Sequence, residues 1–523
     1  MTTTSLDVVF AAIPPLLVLL LMVGFRWGGS RAGAAGWLSA VVLAFVAFGA
    51  NVEVMAAAHV RAIILTLDVV YIVWAALLLY LVVDKAGALR VIARWFTGLT
   101  GDDVLRVLLL GWVFTSFLQG VGGFGVPVAI VAPLLVGLGL SPLAAVVIPS
   151  VGHGWAVTFG SLGSSFLVLL GVTGVDEKAA AVPTALLLGA AAILSGFLAA
   201  HVYAGWRGIR RSLPAVLVLG LVMAIGQYIL ATNGLWNIGA AGGSLLALVV
   251  GLWVVRWPFY RRVKNNDTHN AETPEENALS FRLAIIGYVV LVVLAFTIKG
   301  IPDVKSAFGA VRLSVDLPAV TTLRGWETPA GTVGLNIFGH TGAILCYAAA
   351  IAYGIYRWRG LYPQGAERAI LTGVWLRGRK AALGILAMVA MATVMQYTGM
   401  TRALAEWLAN AVSPSLYAFI SAVIGALGAF MTGSNTNSNA VFAVLQQDTA
   451  LLLGLSVPLV LAIQTASASV ASVLAPAKII VGASTVGMSG EEGAVLRKLL
   501  AYGLVLLGFI ALLGFVLLTM TLR

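Results

Sequence analysis

The sequence predicts an all-α polytopic membrane protein: two inverted repeats with re-entrant hairpins, an elevator-like carrier architecture, and about 12–14 membrane segments by counting apolar runs. Three observations predict it. First, 60% of the 523 residues are hydrophobic and only 10% are charged, where a soluble domain has about 25% charged. Second, apolar runs long enough to cross a bilayer core of about 30 Å recur along the whole chain, among them Ile63–Val83, Ala185–Ala200, Ala215–Ala231 and Val495–Met520. They do not alternate polar with apolar as barrel strands do, and a bilayer offers no partners for free backbone groups, so helices are the expected form. Third, one stretch in each half breaks these runs with glycine, proline or small polar residues.

Charge sets the expected orientation. The formal charge of +11 is read as basic cytoplasmic loops, not as a nucleic-acid surface. The polar loop 256–282 carries Arg256, Arg261, Arg262 and Lys264 and is placed in the cytoplasm. The loops holding Arg207, Arg210 and Arg211, and Arg357 to Lys380, fall on the same side by parity. Loop 299–336, mixed in charge and rich in Gly, Pro and Thr, falls outside, and Arg26 and Arg31 put the N-terminus outside as well. Met1–Phe10 has no basic stretch, so no cleaved signal is expected. A single cysteine, Cys346, excludes a disulfide framework within the chain.

An internal repeat organises the rest. Gly87 and Trp95 recur as Gly399 and Trp407, Phe117 and Gly120 as Phe430 and Gly433, Pro142 as Pro458, and Asp176-Glu177 as Glu491-Glu492. The spacing is nearly constant, 312 residues at the start and 316 at most. The expected divisions are N-terminal helices (1–60), a first repeat (61–204), connecting helices (205–380) and a second repeat (381–523). The first repeat enters from outside and the second from inside, so the copies are antiparallel. Carriers built this way place their site near the midplane, where the copies meet.

Each repeat contains one segment unsuited to a plain helix. The first is 119–127, Gln119 to Pro127, with four glycines and a proline; the second is 432–439, Thr432 to Asn439, eight small or polar residues. Glycine and proline cost roughly 1 and 3 kcal/mol in a helix interior. Irregular backbone at membrane depth is tolerated where it lines a cavity or is buried in protein. A hairpin tip presents backbone N–H groups and the positive end of a short helix, which suits a carboxylate. Gln119, Gly122, Gly123, Phe124 and Gly125 on one tip, and Ser434, Asn435, Thr436, Asn437 and Asn439 on the other, are the expected substrate contacts. One such Ser or Asn ordinarily serves helix–helix packing; the cluster points to a site, with carbonyls that could also hold a cation.

A second polar layer follows each tip, Ser150 to Ser165 and Gln464 to Lys478. Lys478, beside Pro476, is expected to pair with an anion or else to snorkel to an interface. His153 and Asp68 are the proton-coupling candidates, because an imidazole titrates near neutrality and a carboxylate within a membrane run is functional by default. With five histidines, one cysteine and no His/Asp-rich motif, neither a metal site nor an enzymatic centre is expected.

These segments resemble a known family. Phe117 to Ile130, Pro133 to Gly139, His340-Thr341-Gly342, Met431 to Asn439 and Ala475 to Ile479 are similar to signatures of the lactate permease family, and the similarity runs along nearly the whole chain. The resemblance implies a bacterial inner-membrane symporter of L-lactate, D-lactate or glycolate, driven generally by a proton. No cofactor is implied, and a homodimer stays open. Ser434-Asn435-Thr436 matches a hairpin-tip motif of the wider ion-transporter group, which implies an elevator-like motion. The chain departs at Gln119, where the best-known members carry glutamate, and near Lys478, where they place a positive charge close to the position of Ser472. Sodium as coupling ion, another organic anion (a dicarboxylate or sulfonate) and an anion channel remain alternatives; one main cation in the site favours a single carboxylate.

Overall fold

The computed structural model describes residues 4–25, 27–97, 99–123, 126–260, 279–489 and 491–521, so most of loop 256–282 lies outside the described residues. The chain opens with α1 (Ser5–Val23) and α2 (Gly29–Val46), which pack together. Thr4 caps α1 reciprocally: its hydroxyl accepts from Asp7 N–H, and the Asp7 carboxylate accepts from Thr4 N–H. Then come α3 (Val52–Lys85), capped by Asn51, and the short amphipathic α4 (Ala88–Thr97). A helical hairpin follows, with α5 (Asp103–Leu108), a buried π-turn and α6 (Thr115–Val121) descending to a tip and α7 (Val126–Gly137) returning. An interrupted helix is next, α8 (Pro142–His153) and α9 (Ser164–Thr173), and then α10 (Glu177–Leu230) and α11 (Gly239–Val254).

After α12 (Phe281–Ala284), α13 (Ile286–Gly300) and α14 (Pro302–Gly309), loop 299–336 forms two antiparallel ribbons, β1 (Arg312–Leu317) with β4 (Gly331–Asn336) and β2 (Val320–Thr321) with β3 (Glu327–Thr328). These strands are an addition to the all-α expectation. They are short and largely exposed, and they lack the long apolar pattern by which the helices announce themselves. Beyond them lie α15 (Thr341–Trp358), α16 (Ala366–Tyr397), amphipathic α17 (Met400–Ala411), the hairpin α18 (Tyr417–Thr432) and α19 (Asn435–Leu452), the interrupted α20 (Val457–Ala471) and α21 (Pro476–Thr485), and α22 (Glu492–Thr521). One order of elements thus occurs twice: long helix, amphipathic helix, hairpin, interrupted helix, long helix.

Among the described residues ten helices are long and apolar enough to cross a membrane, or eleven with the bent pair α13–α14 counted as one span. The run Glu177–Val254 is one of the ten, at 78 residues. It turns at Ala204–Gly205 and again at Asn233–Gly234, and it is long enough for three crossings, which is how run counting reaches a higher number. α16 packs along both α3 and α2 through small residues, Gly33 facing Ala387 and Met388, Gly373 facing Leu81 and Gly378 facing Trp74. The hairpin α18–α19 and both interrupted helices pack around one another beside α10 and α22. That places the polar interruptions inside the protein, away from lipid.

Candidate functional site

Both hairpins turn on a left-handed glycine, Gly123 at φ +55° and Gly433 at φ +68°. The breaks are narrower than the sequence suggests. In the first, Gln119–Val121 remain helical within α6 and Val126-Pro127 already begin α7, where the first turn tolerates proline. Gly122 and Gly123 form the described part of the tip; Phe124 and Gly125 lie outside the described residues. In the second, only Gly433 and Ser434 leave the helix. Ser434 is an N-cap: its hydroxyl accepts from Asn437 N–H at 3.3 Å, and the carbonyl accepts from Ser438 N–H at 3.1 Å. The polar run therefore starts a helix instead of unwinding one, because such side chains satisfy the orphan donors of a first turn.

That correction decides which side chains meet. With 3.6 residues per turn, Asn435 and Asn439 share a face. Asn435 Nδ2 donates to Thr158 Oγ1 at 2.9 Å and to the Thr465 carbonyl at 3.2 Å. Asn439 Nδ2 donates to the Ser165 carbonyl and to Thr465 Oγ1, both at 2.9 Å. The Thr436 and Ser165 hydroxyls lie 3.0 Å apart. Asn437 points the other way and lines a narrow crevice with Pro15, Leu19, Met431 and Phe442.

The partner of this tip is the interruption between α8 and α9. Ser161, Leu162 and Gly163 are consecutive left-handed residues at φ 48°, 55° and 79°. The first two are the only non-glycine residues of positive φ among the described residues. Each costs roughly 1–2 kcal/mol, and strain of this kind gathers at functional sites. Packing holds it: Gly163 lies against Trp236 and Asn237, while a Cβ on Gly123 would stand 1.8 Å from Ser161 Oγ. The first hairpin tip and the left-handed turn are therefore seated directly on one another.

The second interruption completes the cluster. Ser469 Oγ accepts from the N–H groups of Val157 and Thr158 at 3.1 and 3.2 Å and donates to the Gly154 carbonyl at 2.8 Å. Ser472 Oγ donates to the Ser469 carbonyl, and Lys478 Nζ donates to Ser472 Oγ at 3.1 Å. Lys478 thus turns inward toward this chain of hydroxyls. His153 is buried, and its Nδ1 lies 2.6 Å from the Pro149 carbonyl. A carbonyl only accepts, so the proton sits on Nδ1 and Nε2 keeps its lone pair. Asp68 is not brought here. It pairs with His340 Nε2 at 2.9 Å on the junction of α3 and α15, where Tyr71 stacks on the imidazole.

Thr158, Ser165, Thr465 and Ser469 carry as many of these contacts as the hairpin asparagines. The sequence shows them only as a polar layer, and nothing in their spacing reveals which hairpin residue each would meet.

Residues 7–521 match the profile of the L-lactate permease family. The chain belongs to the L-lactate permease family. It is 27% identical over 519 residues to an L-lactate permease of Halalkalibacterium halodurans, covering 97% of this chain and 96% of the relative. It is 28% identical over 546 residues to the glycolate permease GlcA of Escherichia coli, covering 97% and 96%. Among solved structures, the YdaH transporter of Alcanivorax borkumensis aligns with a TM-score of 0.48 at 16% identity, covering 85% of this chain and 84% of that one. As a member of a permease family the chain is a multi-pass membrane transporter and not an enzyme. In this lactate permease family member the N-terminal ends of α9 and α19 meet at Ser165 and Thr436, with Lys478 hydrogen-bonded into the same polar network through Ser472 and Ser469. The two helix N-termini and the Lys478 ammonium are the positive groups of that set, and they suit an anion.

Proposed function

We propose that the chain is a symporter that carries lactate, or a closely related small 2-hydroxy monocarboxylate such as glycolate, across the bacterial cytoplasmic membrane with a proton. The observation that carries the reading is the meeting of α9 and α19 at Ser165 and Thr436, braced by Asn435 and Asn439. Two positive helix ends with hydroxyl and amide donors can hold one carboxylate without a cofactor. The recurrent element order supports two inverted copies, 61–204 and 381–523, with hairpins and interrupted helices moving elevator-like against a frame of α3 and α16. The expected topology puts the N-terminus outside and loop 256–282 in the cytoplasm.

A second reading, sodium as the coupling ion, is favoured by one observation. Asn439 Oδ1 is fully buried and has no hydrogen-bond partner, so the site offers a cation an unused oxygen. Uptake of labelled lactate into proteoliposomes, with proton and sodium gradients imposed separately, tests both readings. Accumulation under the proton gradient alone is expected. Accumulation only under sodium would replace the coupling ion, and none under either gradient would sink the symporter.

A further inference from the structure

Gln119 sits on the last helical turn before the first hairpin tip, 2% exposed, and its Oε1 is buried with no hydrogen-bond partner. The amide is packed between the first tip and the interruption after α8. Nε2 lies 3.3 Å and 3.0 Å from the points that a Cβ on Gly123 or Gly160 would occupy, so any side chain at either position would press on it. Gly160 is two residues past Thr158, the residue that Asn435 grips. The unsatisfied amide therefore packs on the same interruption, between α8 and α9, that supplies Thr158 to Asn435 and starts α9 at Ser164.

A buried amide acceptor without a donor is costly, and a bound partner that supplies the donor removes the cost. A plain carboxylate cannot supply one, because it only accepts. A 2-hydroxy acid can: its hydroxyl donates to Oε1, while a carboxylate oxygen of the same molecule accepts from Nε2. The amide and the 2-hydroxy acid are complementary at two points, and a simple alkanoate leaves one of them empty. We propose that Gln119 is a specificity-determining residue that reads the 2-hydroxyl of the substrate, selecting hydroxy acids over alkanoates of the same length. This rests on the carrier reading above and assigns that site its chemical selectivity.

The test compares lactate with propionate, which differs from it only by the missing hydroxyl. Binding of each acid to the purified, reconstituted full chain is measured for wild type and for Gln119→Leu. Wild type is expected to prefer lactate by about 10-fold or more, the scale of one buried hydrogen bond with its orphan penalty. Gln119→Leu should lose that preference: lactate gives up both contacts with the amide and propionate only the one to Nε2, so lactate weakens about 10-fold more than propionate, and thermal stability in detergent shows that the variant is folded. Should the leucine variant fail to reconstitute, Gln119→Met, which keeps the length of the side chain, is read in the same way. Equal losses for both acids, or a preference that survives in the variant, would overturn the assignment, as would a variant that loses only its cation dependence. A wild type that binds both acids alike also overturns it while leaving the carrier intact. A wild type that binds neither brings down the carrier reading itself.

Discussion

The hydroxyls of Ser165 and Thr436 lie 3.0 Å apart although 271 residues separate them in the chain. Each stands in the first turn of its helix, α9 or α19, and Asn439 ties the two together by donating to the Ser165 carbonyl. The contact therefore fixes the relative position of a hairpin and an interrupted helix from opposite halves of the sequence. A substrate held there, as proposed, would touch both halves at once.

Asn435 and Asn437 should differ sharply on replacement. Asn435→Ala removes the donor to Thr158 Oγ1 and to the Thr465 carbonyl, both buried, at a cost of roughly 0.5–1.5 kcal/mol for each hydrogen bond. Lactate affinity should fall about 10-fold or more. Asn437 is two positions on, rotated by about 200° toward α1, so Asn437→Ala should stay within about threefold of wild type. Equilibrium binding to the purified protein measures both, and equal losses would contradict the division of faces.

The tip glycines form a second contrast. At Gly123 an added Cβ meets the left-handed φ of +55° and also the Ser161 hydroxyl, 1.8 Å away, on an element that is itself strained. At Gly433 the φ of +68° is similar, yet the nearest atom is Ala475 Cβ at an ordinary 3.6 Å. Gly433→Ala should cost only the backbone term, about 1–2 kcal/mol, and retain uptake. Gly123→Ala should cost more and abolish transport, as read by thermal stability in detergent together with uptake in proteoliposomes.

What the sequence disclosed and what it hid divide along physical lines. The helical class, the two polar interruptions and the residues Asn435 and Asn439 are visible because hydropathy and glycine content are local properties. The width of each break is not. Whether a run such as Asn435–Asn439 unwinds or starts a helix depends on whether Ser434 can cap it, which is a matter of one residue's backbone angles. Long-range partners are hidden for a different reason. Asp68 looks like a lone carboxylate in an apolar run, and its partner His340 stands on a helix far along the chain. The strained Ser161-Leu162 turn carries no sequence mark, since neither residue type favours left-handed backbone.

The β ribbons should act as a brace for the helices they touch. Arg324 on the loop between β2 and β3 donates to both carboxylate oxygens of Asp7 in α1, at 2.6 and 3.1 Å, and to the Ala47 carbonyl at the end of α2. Trp326 Nε1 donates to the Gln396 carbonyl near the end of α16. The Asp7 side chain is only 5% exposed, so Arg324→Ala strands a buried carboxylate. A loss of roughly 1–3 kcal/mol in stability is expected, with Asp7→Asn adding little further in the double variant. Thermal unfolding of the single and double variants measures the coupling, and additive losses would show that the pair does not act as a unit.

The proposed proton coupling distinguishes His153 from Asp68. His153 is the last residue of α8, at the edge of the first interruption, with Nδ1 engaged by Pro149, so its Nε2 lone pair is the atom that can take a proton. Asp68 already serves His340, whose Nδ1 in turn accepts from Gly342 N–H and holds the start of α15. His153→Ala should abolish lactate accumulation driven by a proton gradient while sparing exchange of labelled for unlabelled lactate, because exchange needs the substrate site and no net proton movement. Asp68→Asn should keep both activities, since an amide can still accept from His340. Parallel uptake and exchange measurements in proteoliposomes decide it: proton-driven accumulation lost in Asp68→Asn but retained in His153→Ala would move the coupling role to the α3–α15 junction.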